Sequence, residues 1–130
     1  MKIKRVFNRE GDSPNTTLSW THEERLVEIN FSFDASAVFS KKLNLVFVEA
    51  YADMEVQLFK LNGEYIGKYK IATLEHYSFR GLNQNMDSKT GVSLLFHPNT
   101  NEVGNEWGDT EQYEFIMGDN TLGKFLDIYR

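Results

Sequence analysis

The residues best suited to chemistry are carboxylates, and six of the 19 acidic residues lie in one stretch, residues 90–123, which contains no Lys or Arg. The rest of the chain holds 13 acidic and 14 basic residues, so this stretch accounts for all of the excess negative charge. Trp107 stands among these carboxylates. An aromatic ring supplies rigid contact area, and nearby acids attract a cationic protein. We therefore predict a partner-binding surface formed by Glu102, Glu106, Trp107, Asp109, Glu111 and Asp119.

A calcium site is the alternative interpretation of the same stretch. Asp109, Glu111, Asp119 and Asn120 carry the hard oxygen ligands that Ca²⁺ prefers, on segments expected to be neighbouring loops. The sequence lacks the Asp-x-Asp-x-Asn-Gly loop with a glutamate at its twelfth position. We therefore predict that the partner-binding surface contains no metal ion or cofactor.

Catalytic motifs are missing from the sequence. The segment that begins at His22 has the letters HEERL, so Leu26 stands where a zinc protease needs its second histidine. There is no Gly-x-Ser-x-Gly elbow for a serine nucleophile, and the glycines at 104 and 108 are not followed by the Lys-Ser/Thr of a phosphate-binding loop. No motif places a nucleophile beside an activating base, so we expect a protein that is not an enzyme.

Length and composition limit the remaining classes. The 130 residues are 41% hydrophobic and 25% charged, as in one ordinary globular domain spanning residues 1–130. The absence of cysteine excludes disulfide scaffolds, thiol nucleophiles and zinc fingers. A net charge of −5 disfavours nucleic acid and anionic membranes as partners. No apolar stretch resembles a secretion signal, so a cytoplasmic location is expected.

Hydrophobic residues alternate with polar ones along most of the chain, which predicts β-strands. The clearest alternation runs from Val27 to Phe33, whereas residues 43–50 are apolar on both faces and predict a central strand covered on both sides. Asn62 and Gly63 separate strand-like runs at 55–61 and 64–71, which predicts a hairpin with a type I′ turn. Further strands are expected at 2–8, 17–20, 75–79, 92–96 and 113–117.

Three segments are harder to assign. Residues 124–130 fit either a strand or a helix, and a strand is favoured because Gly123 weakens a helix. Residues 34–42 are expected to form one short helix with Asp34 as its N-cap, and residues 81–90 and 98–112 to form loops. The expected fold is a mostly β, single-domain antiparallel β-sandwich of about eight to ten short strands with at most one short helix. A mixed α+β domain is the alternative.

These observations predict a non-enzymatic protein-binding domain. The main hypothesis is an acidic immunity-type inhibitor that neutralises a basic, toxin-like protein, such as a nuclease, through the acidic and aromatic loop. The alternative is a β-sandwich that binds a ligand, either carbohydrate through Trp107, Trp20 or tyrosines, or a membrane surface through calcium. The sequence leaves open whether the protein is a monomer or a homodimer.

Overall fold

The chain folds into three antiparallel β-sheets, none of them closed, in a computed structural model that describes residues 1–10, 13–99 and 108–129. Within each sheet, strands that follow one another in the chain are neighbours. Sheet A contains β1 (Lys4–Glu10), β2 (Ser13–His22) and β3 (Arg25–Phe31). Sheet B contains β4 (Ala35–Ser40), β5 (Leu45–Ala50), β6 (Glu55–Lys60) and β7 (Tyr65–Lys70). Sheet C contains β8 (Tyr77–Gln84), β9 (Val92–Pro98), β10 (Glu111–Phe115) and β11 (Leu122–Ile128).

Sheet B contributes to two hydrophobic clusters because successive side chains of a strand point to opposite faces. Phe47 of β5 belongs to a cluster shared with sheet C, whereas its neighbours Val46 and Val48 belong to a cluster shared with sheet A. The predicted burial of both faces of this strand is confirmed. The first cluster contains Phe47, Val56, Leu58, Ile71, Phe79, Leu82, Val92, Leu94, Phe96 and Phe115. The second contains Leu18, Trp20, Phe31, Ala35, Val46, Val48 and Phe59.

The all-β character is confirmed, but the expected helix at 34–42 is wrong. Ala35–Ser40 is the edge strand β4, and it pairs along its whole length with β5. Pairing with β5 satisfies the backbone groups that a helix would have paired internally, so tertiary context overrides the local capping signal. The described residues contain one helical element, a 3₁₀ turn at Tyr51–Asp53, and no α-helix. The chain's last strand, β11, confirms the strand expected near the C-terminus.

The described residues form eleven strands rather than eight to ten, and both predicted loops overlap strands: 98–112 at its two ends and 81–90 over its first four residues. β8 continues through the start of the loop expected at 81–90 and ends at Gln84. A bulge makes this possible: Phe79 pairs with Phe96 and Gly81 with Leu95, so Arg80 is an extra residue in β8. Gly81 has a φ of 130°, a conformation that favours glycine.

The hairpin between β6 and β7 is confirmed, but its predicted type I′ turn is wrong. Such a turn needs positive φ at both central residues, whereas only Gly63 has one, at 93°. The Lys60 N–H donates to Glu64 O at 2.8 Å, and the Gly63 N–H donates to Lys60 O at 2.9 Å. These bonds close a three-residue loop that ends in a left-handed glycine. A Cβ at Gly63 would lie 2.8 Å from Val27 Cγ1, so this turn packs closely against β3.

Candidate functional site

Four carboxylates gather at one end of sheet C, and we call this group the acidic end: Glu75, Asp109, Glu111 and Asp127. The starts of β8 and β10 and the ends of β9 and β11 meet here, because Tyr77 pairs with Pro98, Phe96 with Glu111, and Glu111 with Ile128. Asp127 pairs with Gln112, and Glu75 lies in the turn that leads into β8. The four residues therefore lie along one end of sheet C, from its outer strand β8 to its other outer strand β11.

The basic side chains in the chain segments that form the acidic end are histidines, and His76 Nε2 lies 3.4 Å from Glu75 Oε1, an ion pair when the histidine is protonated. Residues 71–79, 91–99, 108–123 and 125–129 contain no Lys or Arg. Glu75, Asp109 and Asp127 are exposed. Tyr129 is 44% exposed at the end of the same sheet, where its N–H donates to Thr110 O at 2.7 Å. Exposed carboxylates attract a positively charged protein surface, and an exposed aromatic ring adds contact area for it.

Glu111 is partly buried and is held by two tyrosines rather than turned fully to solvent. The Tyr113 hydroxyl donates to Glu111 Oε1 at 3.0 Å. Burial, followed by this hydrogen bond, raises the pKa of Tyr113 to about 12. A hydrogen bond to Glu111 is also the main cause of the raised pKa of Tyr77. The hydroxyl groups of Tyr77 and Tyr113 therefore both bind the Glu111 carboxylate, and these two hydrogen bonds hold its side chain in place.

We expect the raised pKa values of Tyr77 and Tyr113 to depend on the Glu111 carboxylate. The pKa of Tyr113 is higher in the folded chain, about 12, than the ordinary value of 10. The hydrogen bond between Tyr113 and Glu111 therefore contributes fully to the free energy of unfolding below pH 10, and this contribution is lost as the pH rises toward 12. ¹³C NMR of the tyrosine rings during alkaline titration measures both pKa values, and Glu111→Gln should lower them.

Asp109→Asn is the matched control for that titration, because it removes one negative charge two residues away without touching the hydrogen bonds to Glu111. It should leave both tyrosine pKa values nearly unchanged. Equal pKa values in wild type and Glu111→Gln would contradict the role assigned to this carboxylate.

The six residues predicted from the sequence do not form one described site. Asp109 and Glu111 lie at the start of β10, whereas Asp119 lies beyond its end. Asp119 Oδ1 accepts the Lys70 N–H at 2.9 Å, so this carboxylate fastens the β10–β11 turn to the edge of sheet B. A five-residue strand, at about 3.4 Å per residue, separates Asp119 from Asp109 and Glu111, so these carboxylates lie at opposite ends of β10. The partner-binding role of Asp119 remains a prediction. Glu102, Glu106 and Trp107 lie outside the described residues and remain predictions.

Asn120 also lies beyond the far end of β10, so the four residues of the calcium alternative are divided between the two ends of this strand. In residues 1–10, 13–99 and 108–129, no group of three or more His, Asp or Glu is placed to hold a metal ion. Nor do these residues include a helix that is long and apolar enough to cross a membrane.

A second feature is a polar cleft of about 330 Å³ at the junction of all three sheets, which we call the three-sheet cleft. Sheet A contributes a residue from β1, sheet B contributes β4 and β5 with the segments beside them, and sheet C contributes the bulge of β8. Its lining residues are Arg5, Asp34, Ser36, Glu49, Tyr51 and Arg80.

Glu49 is the innermost charged group of the three-sheet cleft. The Ser36 hydroxyl donates to Glu49 Oε1 at 2.6 Å, and a hydrogen bond from the Leu82 backbone reaches the same carboxylate. A Cβ at Gly81 would lie only 3.2 Å from Glu49 Oε1, so the glycine of the bulge makes room for the carboxylate. Burial outweighs these hydrogen bonds and raises the pKa of Glu49. A perturbed carboxyl group in a cleft is typical of functional sites.

Sequence reasoning missed the three-sheet cleft because its residues are spread from position 5 to position 80. One signal was available: Glu49 is the single charged residue of a strand that is otherwise apolar and was expected to be covered on both faces. A carboxylate at such a position needs polar partners. The sequence did not show which partners, since Ser36 and Gly81 approach it only through the fold.

Comparisons of the chain with known protein families, with curated proteins and with solved structures find no match.

Proposed function

We propose that this protein is a non-enzymatic binding domain whose acidic end docks a basic protein, and that it acts as an immunity-type inhibitor of a toxin-like partner such as a nuclease. The observation that supports this most directly is that Glu75, Asp109, Glu111 and Asp127 lie along one end of sheet C, on chain segments without Lys or Arg. The proposal includes a cytoplasmic location and a single domain with a β-sandwich arrangement of its sheets.

The local charges fit rapid docking of a cationic partner. Aligned carboxylates raise association rates by a factor of about 10 to 1,000 at low ionic strength, and salt screens this effect. The two tyrosines on Glu111 hold that carboxylate in one position, so it loses little freedom when a partner binds. Asp109 and Asp127 remain exposed and supply the long-range attraction.

The test begins with a partner captured from a lysate of the source cell and then purified. We expect Asp109→Lys/Asp127→Lys to slow its association by about tenfold or more at low salt, because two attractive charges become repulsive. Stopped-flow kinetics at several ionic strengths measures the rate, and an assay of the partner's own activity shows whether it is inhibited.

Glu28→Lys/Asp87→Lys is the matched control, because it changes the net charge equally at exposed positions outside the acidic end. A partner whose association is slowed equally by both double variants senses only the overall charge, and that result overturns the acidic end as the interface. A separate Glu102→Lys/Glu106→Lys variant tests the residues predicted from sequence alone. If only this second variant weakens binding, the interface lies in the stretch 100–107 and not on the strand ends.

A further inference from the structure

The three-sheet cleft is placed like a small-molecule site. Ligand sites form where separate structural units meet, and clefts of about 300 Å³ upward accommodate small molecules. Here β1, the β4–β5 pair and β8 each supply side chains. The bulge in β8 places the extra residue Arg80 in the lining of the cleft. Bulges often direct a side chain toward a binding site in this way.

The charges that line this cleft cancel. Arg5 and Arg80 are cationic, and Asp34 and Glu49 are anionic. Arg5 forms an ion pair with Asp34 and also donates from Nε to Ala35 O at 2.8 Å. An anion would be attracted by the guanidinium groups and repelled by the carboxylates, and a cation would meet the reverse. The lining therefore favours a ligand that is polar but neutral.

The cleft also offers hydrogen-bonding groups of both kinds. The Glu49 carboxylate accepts several hydrogen bonds, of which Ser36 supplies one. The Arg80 guanidinium carries five N–H donors and makes no hydrogen bond or ion pair to any other residue in the described part of the chain. Hydroxyl groups on adjacent carbons donate to a carboxylate and accept from a guanidinium, so a polyhydroxyl ring satisfies both side chains.

An apolar surface completes the lining. Tyr51 is 50% exposed, and its ring is stacked against Phe79 with centroids 6.0 Å apart. This contact with the core holds the ring in place. Aromatic rings of this kind combine an apolar face with a polar hydroxyl. The C–H face of a sugar ring is apolar and packs against such a surface.

We propose that the three-sheet cleft binds a monosaccharide unit, with Tyr51 against the apolar face of the sugar and Glu49 and Arg80 bonded to its hydroxyls. This function is separate from docking at the acidic end. It corrects one part of the carbohydrate hypothesis from the sequence: Trp20 is only 2% exposed and donates to Leu61 O at 2.7 Å, so it is not available to a sugar.

The test is a titration of the full-length, ¹⁵N-labelled protein with D-glucose, D-galactose, D-mannose and N-acetyl-D-glucosamine, each up to about 50 mM, which saturates a site of millimolar affinity. We expect saturable shifts of the Ser36, Tyr51 and Gly81 amide signals with at least one sugar. Tyr51→Ala and Glu49→Gln should each weaken that binding about tenfold or more, a loss of at least 1.4 kcal/mol.

Tyr65→Ala removes another exposed tyrosine, on β7, and should bind as wild type does. The amide spectra show directly whether each variant is folded, and Glu49→Gln preserves the shape of the side chain if Tyr51→Ala does not fold. The proposal is overturned if none of the four sugars gives a saturable shift, or if binding survives in the folded variants. It is also overturned if sodium phosphate or free arginine shifts the same amides more strongly. Asp109→Lys/Asp127→Lys should retain sugar binding, so failure of the docking proposal is distinguishable from failure of this one.

Discussion

Gly123→Ala is expected to destabilise the protein by about 3 kcal/mol and to lower its melting temperature by roughly 10 °C. Gly123 lies in the edge strand β11, directly beside the backbone of β10. An added Cβ would overlap the Glu114 carbonyl oxygen and lie 2.8 Å from Glu114 Cβ. Replacing glycine by alanine restricts the unfolded chain, but that gain is at most about 1 kcal/mol. The steric overlap therefore dominates.

The local strand pairing explains why no space is available. Tyr113 pairs with Phe125 and Phe115 with Leu122, so Gly123 and Lys124 both lie opposite Glu114 in a bulge. Glu114 is 6% exposed and accepts the Lys89 N–H at 2.9 Å, so it has little freedom to move away.

Urea and thermal denaturation measure this effect, and Gly67→Ala is its matched control. Gly67 also lies in an edge strand, β7, but a Cβ there meets nothing within 4 Å. That variant should be as stable as wild type or slightly more stable. Equal stabilities for the two alanine variants would show that β11 moves away from β10 at no cost.

Much of the β-strand content was predictable because alternation of apolar and polar residues reports a half-buried strand directly. The buried strand β5 was predictable for a related reason, since its apolar residues fall on both faces and need cover on both. Ala35–Ser40 was not, because its short side chains carry little periodic signal and its pairing with β5 decides its conformation. Local propensity decides little where pairing with a neighbouring strand is available.

Turn types were less predictable than strands. Among the described residues, a two-residue loop with positive φ at both positions is formed by Glu23 and Glu24, with angles of 50° and 64°, although neither residue favours that conformation. Asn62 and Gly63, which do favour it, form a different turn. In both cases the register of the flanking strands fixes the loop length, and the loop residues then adopt the angles that this length requires.

The candidate sites show the same limit. The sequence located an excess of negative charge, but the pairing of four strands places Glu75 and Asp127 at the same end of sheet C as Asp109 and Asp119 at the opposite end. Linear position carries no information on which strand ends meet. The three-sheet cleft is a stronger example, because each sheet contributes only one part of its lining.

Thr16→Val is expected to destabilise the protein by about 2 to 4 kcal/mol, because it leaves two buried backbone groups without partners. Thr16 is 0% exposed. Its hydroxyl donates to Phe33 O at 2.8 Å and accepts the Ala35 N–H at 3.0 Å. Valine has nearly the same shape but cannot make either bond, so packing is preserved while both hydrogen bonds are lost.

These two hydrogen bonds involve the residues on either side of Asp34, which lines the three-sheet cleft. They connect β2 of sheet A to the start of β4 in sheet B. Thr16→Val should therefore loosen the cleft as well as the fold, and the Ser36 and Tyr51 amide signals should report that change.

Thr16→Ser keeps the hydroxyl and should lose only about 1 kcal/mol of stability for the missing methyl group. Thr17→Val is the half-buried counterpart: its hydroxyl donates to Asn30 Oδ1 at 2.6 Å in a solvent-exposed hydrogen bond, and its loss should change stability by less than about 0.5 kcal/mol. Chemical denaturation of the three variants orders them, and a Thr16→Val protein as stable as Thr17→Val would mean that the link between sheets A and B does not depend on this hydroxyl.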